Sequence, residues 1–342
     1  MGKIYTSEGW INWDYLVNET KFIMAVTGAR GTGKTFGLLK YILDNNLKFL
    51  YIRRLKTQLD YCLADDDNNP FKAINSKCGY QIRGKRKKES IRFIDDSRQD
   101  ENGDPPIIGY GAALSVAIGI RGADYSDVDI VLFDEYIAMS GEKPIPQEAT
   151  KFYDLLETVN RNRELEGRPP VKVFMLGNAN KLMNPYFLHW HFMRTALKMI
   201  RGEQMMWRSP NNNRIMVFIL KSPISERKKQ TALYSEDADK GFFSMAIDNA
   251  FATDATAIKP AKLTDLKHIC GIGEIGIYQL KSTGYYYASE TIQKTSNYYP
   301  ENEINLRFFR ARFGGLKTIY LGGFFTFENY DCELLFREYI GL

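Results

Sequence analysis

The sequence predicts an α/β fold, a mainly parallel sheet flanked by helices, followed by a smaller α+β domain. Three observations carry this. The octapeptide GARGTGKT (28–35) lies between an apolar run and a helical one. Two further apolar runs, DIVLFDE (129–135) and VKVFMLGN (171–178), end in polar groups, as buried parallel strands do. Nearer the C-terminus, GIYQLKSTGYYYASETI (276–292) reads as two strands about a KSTG turn, and ENEINLRFFRARFGG as an amphipathic helix.

The 342 residues, 44% apolar and 25% charged, suffice for a full core and predict two domains. The expected division is 1–193, a basic linker over 194–231, and 232–342. No apolar run approaches the roughly 18 residues of a membrane span, and the opening MGKIYTSEGWINWDY lacks a signal-peptide core, so a soluble cytoplasmic chain without membrane contact is expected. Cys62, Cys78, Cys270 and Cys332 form no C-x-x-C pair and read as reduced thiols rather than a zinc site or a disulfide framework.

GARGTGKT fits G-x-x-x-x-G-K-[ST], a pattern that a chain of this length meets by accident about once in a hundred. KFIMAVT (21–27) before it is an apolar β-type run. TFGLLKYILDNN after it reads as a helix with Leu38, Leu39 and Ile42 inward, so the loop joins a strand to a helix. There Gly28, Ala29, Arg30, Gly31, Thr32 and Gly33 turn backbone amides toward phosphates. The helix N-terminus adds positive potential, Lys34 reaches the β and γ phosphates, and Thr35 ligates Mg²⁺.

KFLYIRR (48–54) supplies the next strand, as a right-handed βαβ unit requires. Lys56, just past Arg53 and Arg54, is a candidate contact to a DNA backbone. QIRGKRKKESIRFI (81–94) alternates apolar and polar residues and predicts a β-hairpin with Lys85, Arg86, Lys87 and Lys88 at its tip, suited to DNA or simply to solvent. Arg121 falls on a glycine-flanked loop within LSVAIGIRGADYSDVD (114–129), near the nucleotide edge of the sheet.

DIVLFDE brings Asp134 and Glu135 to the C-terminal edge of the sheet, Asp134 for the Mg²⁺ shell and Glu135 to orient and polarise the attacking water. VKVFMLGN sets Asn178 beside Glu135, either as a sensor of the γ phosphate or as a turn residue closing the strand. NANK (178–181) has the wrong order for a guanine-reading N-K-x-D and no Asp follows, which favours ATP over GTP. A helix is predicted over 148–166, with Phe152, Leu155, Leu156 and Val159 as its core stripe. Extending the stripe brings Arg163 onto it and points Arg161 outward, as an arginine finger for an adjoining subunit or as a surface cation.

Charge is unevenly spread. Residues 194–229 hold nine Lys/Arg against Glu203 and Glu226, an excess of +7 in a chain of net +5. Such a segment serves either a polyanionic partner or a solvated connector.

The ordered series GARGTGKT, YIRR, IVLFDE, TVNRNRE and GNANKLMNPYF resembles the DNA-packaging ATPases of small short-tailed phages of the Picovirinae type, grouped with FtsK/HerA-like ASCE translocases and large terminases. The resemblance runs over roughly residues 20 to 190 and continues more faintly through SERKKQ (225–230) and MAIDNAF (245–251). It implies a P-loop ASCE ATPase domain and a ribonuclease H-like C-terminal domain. It also implies a homomeric ring, commonly a pentamer, that acts in the host cytoplasm on a prohead portal and a structural RNA, drives double-stranded DNA inward, and is not expected in the mature virion. It assigns Arg161 to a trans-acting arginine finger, makes Arg121 a second trans candidate and places Lys56 at a DNA-contacting position.

A working nuclease of ribonuclease H type needs several carboxylates on two metals. YYYASE offers Ser289 and Glu290 where an Asp-bearing strand end belongs, so a vestigial domain binding nucleic acid or portal is expected, without nuclease activity. Arg307, Arg310 and Arg312, interleaved with Phe308, Phe309 and Phe313, suit stacking on nucleic acid or an ordinary helix with core Phe and solvated Arg. The alternatives to a pump are a terminase that also cuts and a non-hydrolysing adaptor.

Overall fold

The structure, a computed structural model, describes residues 4–64, 68–87, 89–120, 124–139, 142, 144–179, 182, 184–219, 222–228, 261–293 and 295–342. The chain divides into two compact units, Met1–Tyr186 with Lys198–Ala252, and Phe187–Leu197 with Thr253–Leu342.

In the first unit, α1 (Trp13–Glu19) is followed by β1 (Ile23–Gly28), whose burial along its whole length matches its unbroken apolar character. The glycine loop leads into α2 (Lys34–Asp44), where Leu38, Leu39 and Ile42 are fully buried as predicted. Then come β2 (Phe49–Arg53), α3 (Lys56–Ala64), α4 (Lys72–Cys78) and the antiparallel hairpin of β3 (Ile82–Lys87) and β4 (Ser90–Asp95). β5 (Ile107–Ala113), β6 (Ile130–Asp134), α5 (Glu148–Asn160) and β7 (Lys172–Gly177) complete the predicted series; α6 (Pro185–His189) and α7 (Met193–Arg201) come next in the chain and straddle the division, Phe187–Leu197 belonging to the second unit.

The sheet has nine strands in the order β3-β4-β5-β2-β6-β7-β1-β9-β8, where β8 is Met206–Arg208 and β9 is Arg214–Ile219. The six strands from β5 to β9 in that order are mutually parallel, and among the described residues the antiparallel pairs of this sheet occur only at its two edges. β7 separates β1 from β6, the interposed strand that defines the ASCE arrangement.

Two expectations are corrected here. The segment assigned to a basic linker contains β9, which pairs with β1 from Ile23 to Gly28. Its RIMVFI core is as apolar as any central strand, but the surrounding lysines and arginines dominate the composition. The helix predicted over 148–166 stops at Asn160. Arg161 follows with φ +42°, turns run to Gly167 at φ +74°, and the Asn160 side chain accepts from Val171 N at 3.0 Å. Phe152, Leu155, Leu156 and Val159 are buried as read, and so is Arg163, but Arg163 is held from a turn by the carbonyl of Val128 rather than on a continuing stripe.

Beyond β2 the chain is anchored by a buried ion pair. Arg54, 1% exposed, donates Nε and Nη2 to the two Glu148 carboxylate oxygens at 2.8 and 2.9 Å and also pairs with Glu142. Tyr186 OH donates to Glu148 at 3.2 Å. Arg54→Ala leaves the Glu148 carboxylate buried without its cation and is expected to cost about 3–5 kcal/mol, whereas replacing both partners with Met should recover most of that. Urea midpoints of the three variants check this, and equal losses in the single and double variants would contradict it.

In the second unit, β10 (Leu266–Ile272), β11 (Ile275–Leu280) and β12 (Tyr286–Ser289) form an antiparallel meander. β13 (Tyr298–Tyr299) and β14 (Phe325–Phe327) add in parallel at its two sides. The two strands about the KSTG turn are therefore β11 and β12. The predicted amphipathic helix spans Glu303–Phe313, and the helix Tyr330–Tyr339 packs Phe336 against Phe325 at 4.1 Å between ring centroids. MAIDNAF lies outside the described residues.

Candidate nucleotide site

β1 delivers its C-terminal end to a loop that only glycine can build at two points. A Cβ on Gly28 would stand 2.4 Å from the Cβ of Ile219 on β9. Gly33 adopts φ +84° as the residue entering α2. Trp13 of α1 supports the loop from behind, its indole Nε1 donating to Gly33 O at 3.3 Å. Of the eight loop residues, Arg30, Gly31, Gly33, Lys34 and Thr35 line a cavity of about 400 Å³ together with Asp134, Glu135 and Asn178. Ala29 and Thr32 are buried, and Thr32 Oγ1 donates to Ala29 O at 3.1 Å.

Lys34 Nζ donates to the carbonyls of Gly28 (3.0 Å) and Ala29 (2.6 Å) and to Asn178 Oδ1 (3.1 Å), so the three loop-edge groups share one cation. Thr35 Oγ1 donates to Asp134 Oδ1 at 2.9 Å. A hydroxyl and a carboxylate side by side are an all-oxygen donor set, which fits a hard divalent cation such as Mg²⁺.

The other face of the acidic pair brings in residues to which the sequence reading gave no role at this site. Tyr51 OH donates to Asp134 Oδ2 at 3.0 Å. Arg53 reaches both carboxylates, Nη1 to Asp134 Oδ2 at 3.3 Å and Nη2 to Glu135 Oε2 at 2.5 Å. Burial pushes the Asp134 carboxyl up from its ordinary value, and the Arg53 guanidinium works against that shift. Burial likewise pulls the Arg53 guanidinium down, but Tyr51, Asp134 and Glu135 outweigh it and hold the group above its usual value. The sequence signal for this contact is that β2 ends in Arg, and the parallel pairing of β2 with β6 from Phe49↔Ile130 to Ile52↔Phe133 brings that Arg to the carboxylates.

Glu135 has φ +54° and Arg161 φ +42°, both left-handed values that non-glycine residues adopt at a cost. Arg161 is not among the cavity-lining residues. It is exposed at the end of α5, with Nε donating to Thr158 O at 3.2 Å and Nη1 3.9 Å from Asp124 Oδ1. Its outward direction agrees with the sequence reading, although it caps the helix rather than standing on one of its faces. Arg121 and Lys88 lie outside the described residues.

The remaining cations are also away from the cavity lining. Lys56 Nζ pairs with Glu89 at 2.6 Å. Lys85, Arg86 and Lys87, expected at the hairpin tip, lie within β3 and pair across to Arg92, Ile91 and Ser90, and Arg86 is turned to Asp60. In the C-terminal helix, Phe309 is fully buried and Arg310 donates to Tyr339 O (2.8 Å) and Glu338 O (2.9 Å). Arg312 donates to Tyr299 OH at 3.2 Å, and Arg307 pairs with Glu303 at 2.6 Å. These side chains pack and cap the helix, and the exposed apolar positions are Ile304 and Phe308. Ser289 Oγ donates to Glu328 at 2.6 Å, a partner the sequence reading missed.

A phosphate loop after β1, paired carboxylates after β6 and a polar residue after the interposed β7 define a P-loop ASCE ATPase. The chain belongs to the podovirus DNA encapsidation protein (Gp16) family, whose model matches residues 8–299. Among solved structures, the Phi-28 gp11 DNA packaging motor matches with a TM-score of 0.55 at 22% identity, over 98% of this chain and 99% of that one. The bacteriophage Phi-29 viral genome packaging motor assembly matches with a TM-score of 0.54 at 19% identity, over 97% and 99%. Both likenesses establish a shared fold. A comparison with curated proteins finds no match.

Proposed function

We propose that this protein is the ATP-hydrolysing subunit of a homomeric ring, commonly pentameric in the family it resembles, that drives double-stranded DNA into a procapsid through its portal, with or without a structural RNA. The observation that carries this reading is the Thr35–Asp134 hydrogen bond, which sets the paired carboxylates against the phosphate loop in a chain of the DNA encapsidation family. Thr35 and Asp134 would hold Mg²⁺, which when bound neutralises charge on the β and γ phosphates. Lys34 binds those phosphates, Glu135 orients the attacking water and takes up its proton, and Asn178 reads the γ phosphate. Arg161, with Arg121 as the second candidate, acts on a neighbour's nucleotide. Lys56, Lys85 and Lys87 contact DNA.

Residues 232–342 serve as a binding module of ribonuclease H type without nuclease activity. In support, the strand end at Ser289 is tied to Glu328. Among the described residues no helix is long and apolar enough to cross a membrane. The test is ATP turnover by the purified protein with and without duplex DNA, beside a cleavage assay in Mg²⁺ and Mn²⁺. DNA-stimulated turnover without cleavage is expected. Metal-dependent nicking that survives Lys34→Ala and is lost with Glu290→Ala would turn the reading toward a terminase.

Arg53 is assigned a positioning role, since it fixes the Glu135 carboxylate from β2, the strand beside β6. Misplacing a reacting group by about 1 Å costs on the order of 10²-fold in rate. Arg53→Ala is therefore expected to lower kcat by about that factor with little change in KM for ATP, and Arg53→Lys to recover part of it. A rise in KM with kcat intact would remove Arg53 from this role.

A further inference from the structure

The hairpin β3–β4 and its neighbour β5 present two unlike faces. On one, Ile82, Ile91 and Phe93 are buried, Leu63 of α3 closes over Gly84, and Arg86 pairs with Asp60 of α3. Strand alternation puts Arg83, Lys85 and Lys87 on the other. The cross-strand register sets Lys85 opposite Arg92, and Arg92 opposite Tyr110 of β5, so a row of two cations and a phenol runs across three strands. Lys87 stands two residues along β3, about 7 Å from Lys85 at ordinary strand rise. Lys85 and Lys87 are exposed, and among the described residues the side chains of Lys85, Lys87 and Arg92 make no ion pair or hydrogen bond. The nearby carboxylates are already engaged: Asp96 with Arg83, and Asp127 with Lys48 and the Tyr110 hydroxyl.

We infer that this face, with the exposed Lys85 and Lys87 and the half-buried Arg92 at its centre, is a phosphate-contacting surface for duplex DNA. The inference deepens the proposed DNA contact: it moves the contact from the hairpin tip to a sheet face, removes Arg86 from it and adds Arg92. Lysines on an edge strand also block sheet-to-sheet aggregation, but that role does not account for Arg92, which lies on β4 with paired strands on both sides. Duplex DNA fits better than single strands because single-strand binders add open aromatic rings on which bases stack. The ring in this row, Tyr110, is occupied: it meets Tyr125 edge-on at 5.3 Å, Lys48 lies 5.8 Å from its centroid, and its hydroxyl donates to Asp127 at 2.9 Å. Cations without a stacking platform read backbone charge and no sequence.

The test is the salt dependence of binding to a 30-base-pair DNA duplex, measured with the full chain. Each phosphate contact contributes roughly 0.9 to the slope of log K against log salt. Replacing Lys85, Lys87 and Arg92 together with Ala is expected to reduce the slope by roughly 2 to 3. A variant of equal charge loss on the helix-covered side, Lys40→Ala with Lys77→Ala and Arg86→Ala, is expected to keep the wild-type slope. Thermal melts confirm that both variants fold, and if the first does not, Lys85→Gln with Arg92→Gln takes its place. An unchanged slope in the first variant, an equal fall in both, or a fall seen only with duplex RNA of the same length would each overturn the inference while leaving the motor reading intact. A wild-type protein with no affinity for duplex DNA would instead overturn the motor reading itself.

Discussion

Arg161→Ala is expected to bind ATP with wild-type affinity and to hydrolyse it ~10³ to 10⁵ times more slowly, the range found when a charge-stabilising arginine is removed from phosphoryl transfer. Arg161 is exposed beyond the last turn of α5, outside the lining of the nucleotide cavity, where Nε donates to the Thr158 carbonyl and Nη1 lies 3.9 Å from Asp124. An exposed ion pair such as that with Asp124 is worth little, so it does not by itself hold the guanidinium back from the γ phosphate of an adjoining subunit. Mixing subunits gives the decisive measurement. Rings built from Arg161→Ala and Glu135→Gln subunits contain interfaces that combine an intact Glu135 from one with an intact Arg161 from the other, and these should recover turnover that neither variant shows alone. Mixed rings with no recovery at any ratio would move the role to Arg121 or to an arginine acting within its own subunit.

The second large effect separates binding from chemistry inside the cavity. Lys34→Ala removes the cation that spans the loop carbonyls and Asn178, and tight ATP binding should be lost with it. Glu135→Gln keeps the shape and the phosphate contacts but cannot take a proton from water. It should bind ATP and lose roughly 10²- to 10⁴-fold in turnover, the usual contribution of a positioned base. Fluorescent-nucleotide titration beside single-turnover hydrolysis distinguishes the two, and an equal loss of binding in both would end this division of labour. The Arg53 contact predicts that Glu135→Gln and Arg53→Ala are not additive, since both disturb one ion pair at 2.5 Å.

What could be read from the sequence was local and periodic. The phosphate loop, the apolar strands ending in Asp134, Glu135 and Asn178, the inward Leu38, Leu39 and Ile42, and the hairpin over 81–94 are each encoded within about a dozen consecutive residues. There hydrophobic period and glycine placement decide the backbone. Helix ends are encoded less firmly, and the stripe through Val159 gave no warning that Asn160 and a positive-φ Arg161 stop α5.

The sequence alone therefore determined an α/β chain of the packaging type, and it nominated the groups proposed to do its chemistry. Tertiary structure decided which of the other residues meet them. Arg53 and Tyr51 reach carboxylates more than eighty positions away because β2 lies beside β6. An apolar run inside a basic segment becomes β9 because β1 has an open edge for it. Arg86 and Lys85, adjacent in sequence, part company because successive residues of a strand face opposite ways and only one face is covered by α3. Strand order and face coverage are set by the global packing of apolar surface, to which every element contributes and which no single stretch of sequence specifies.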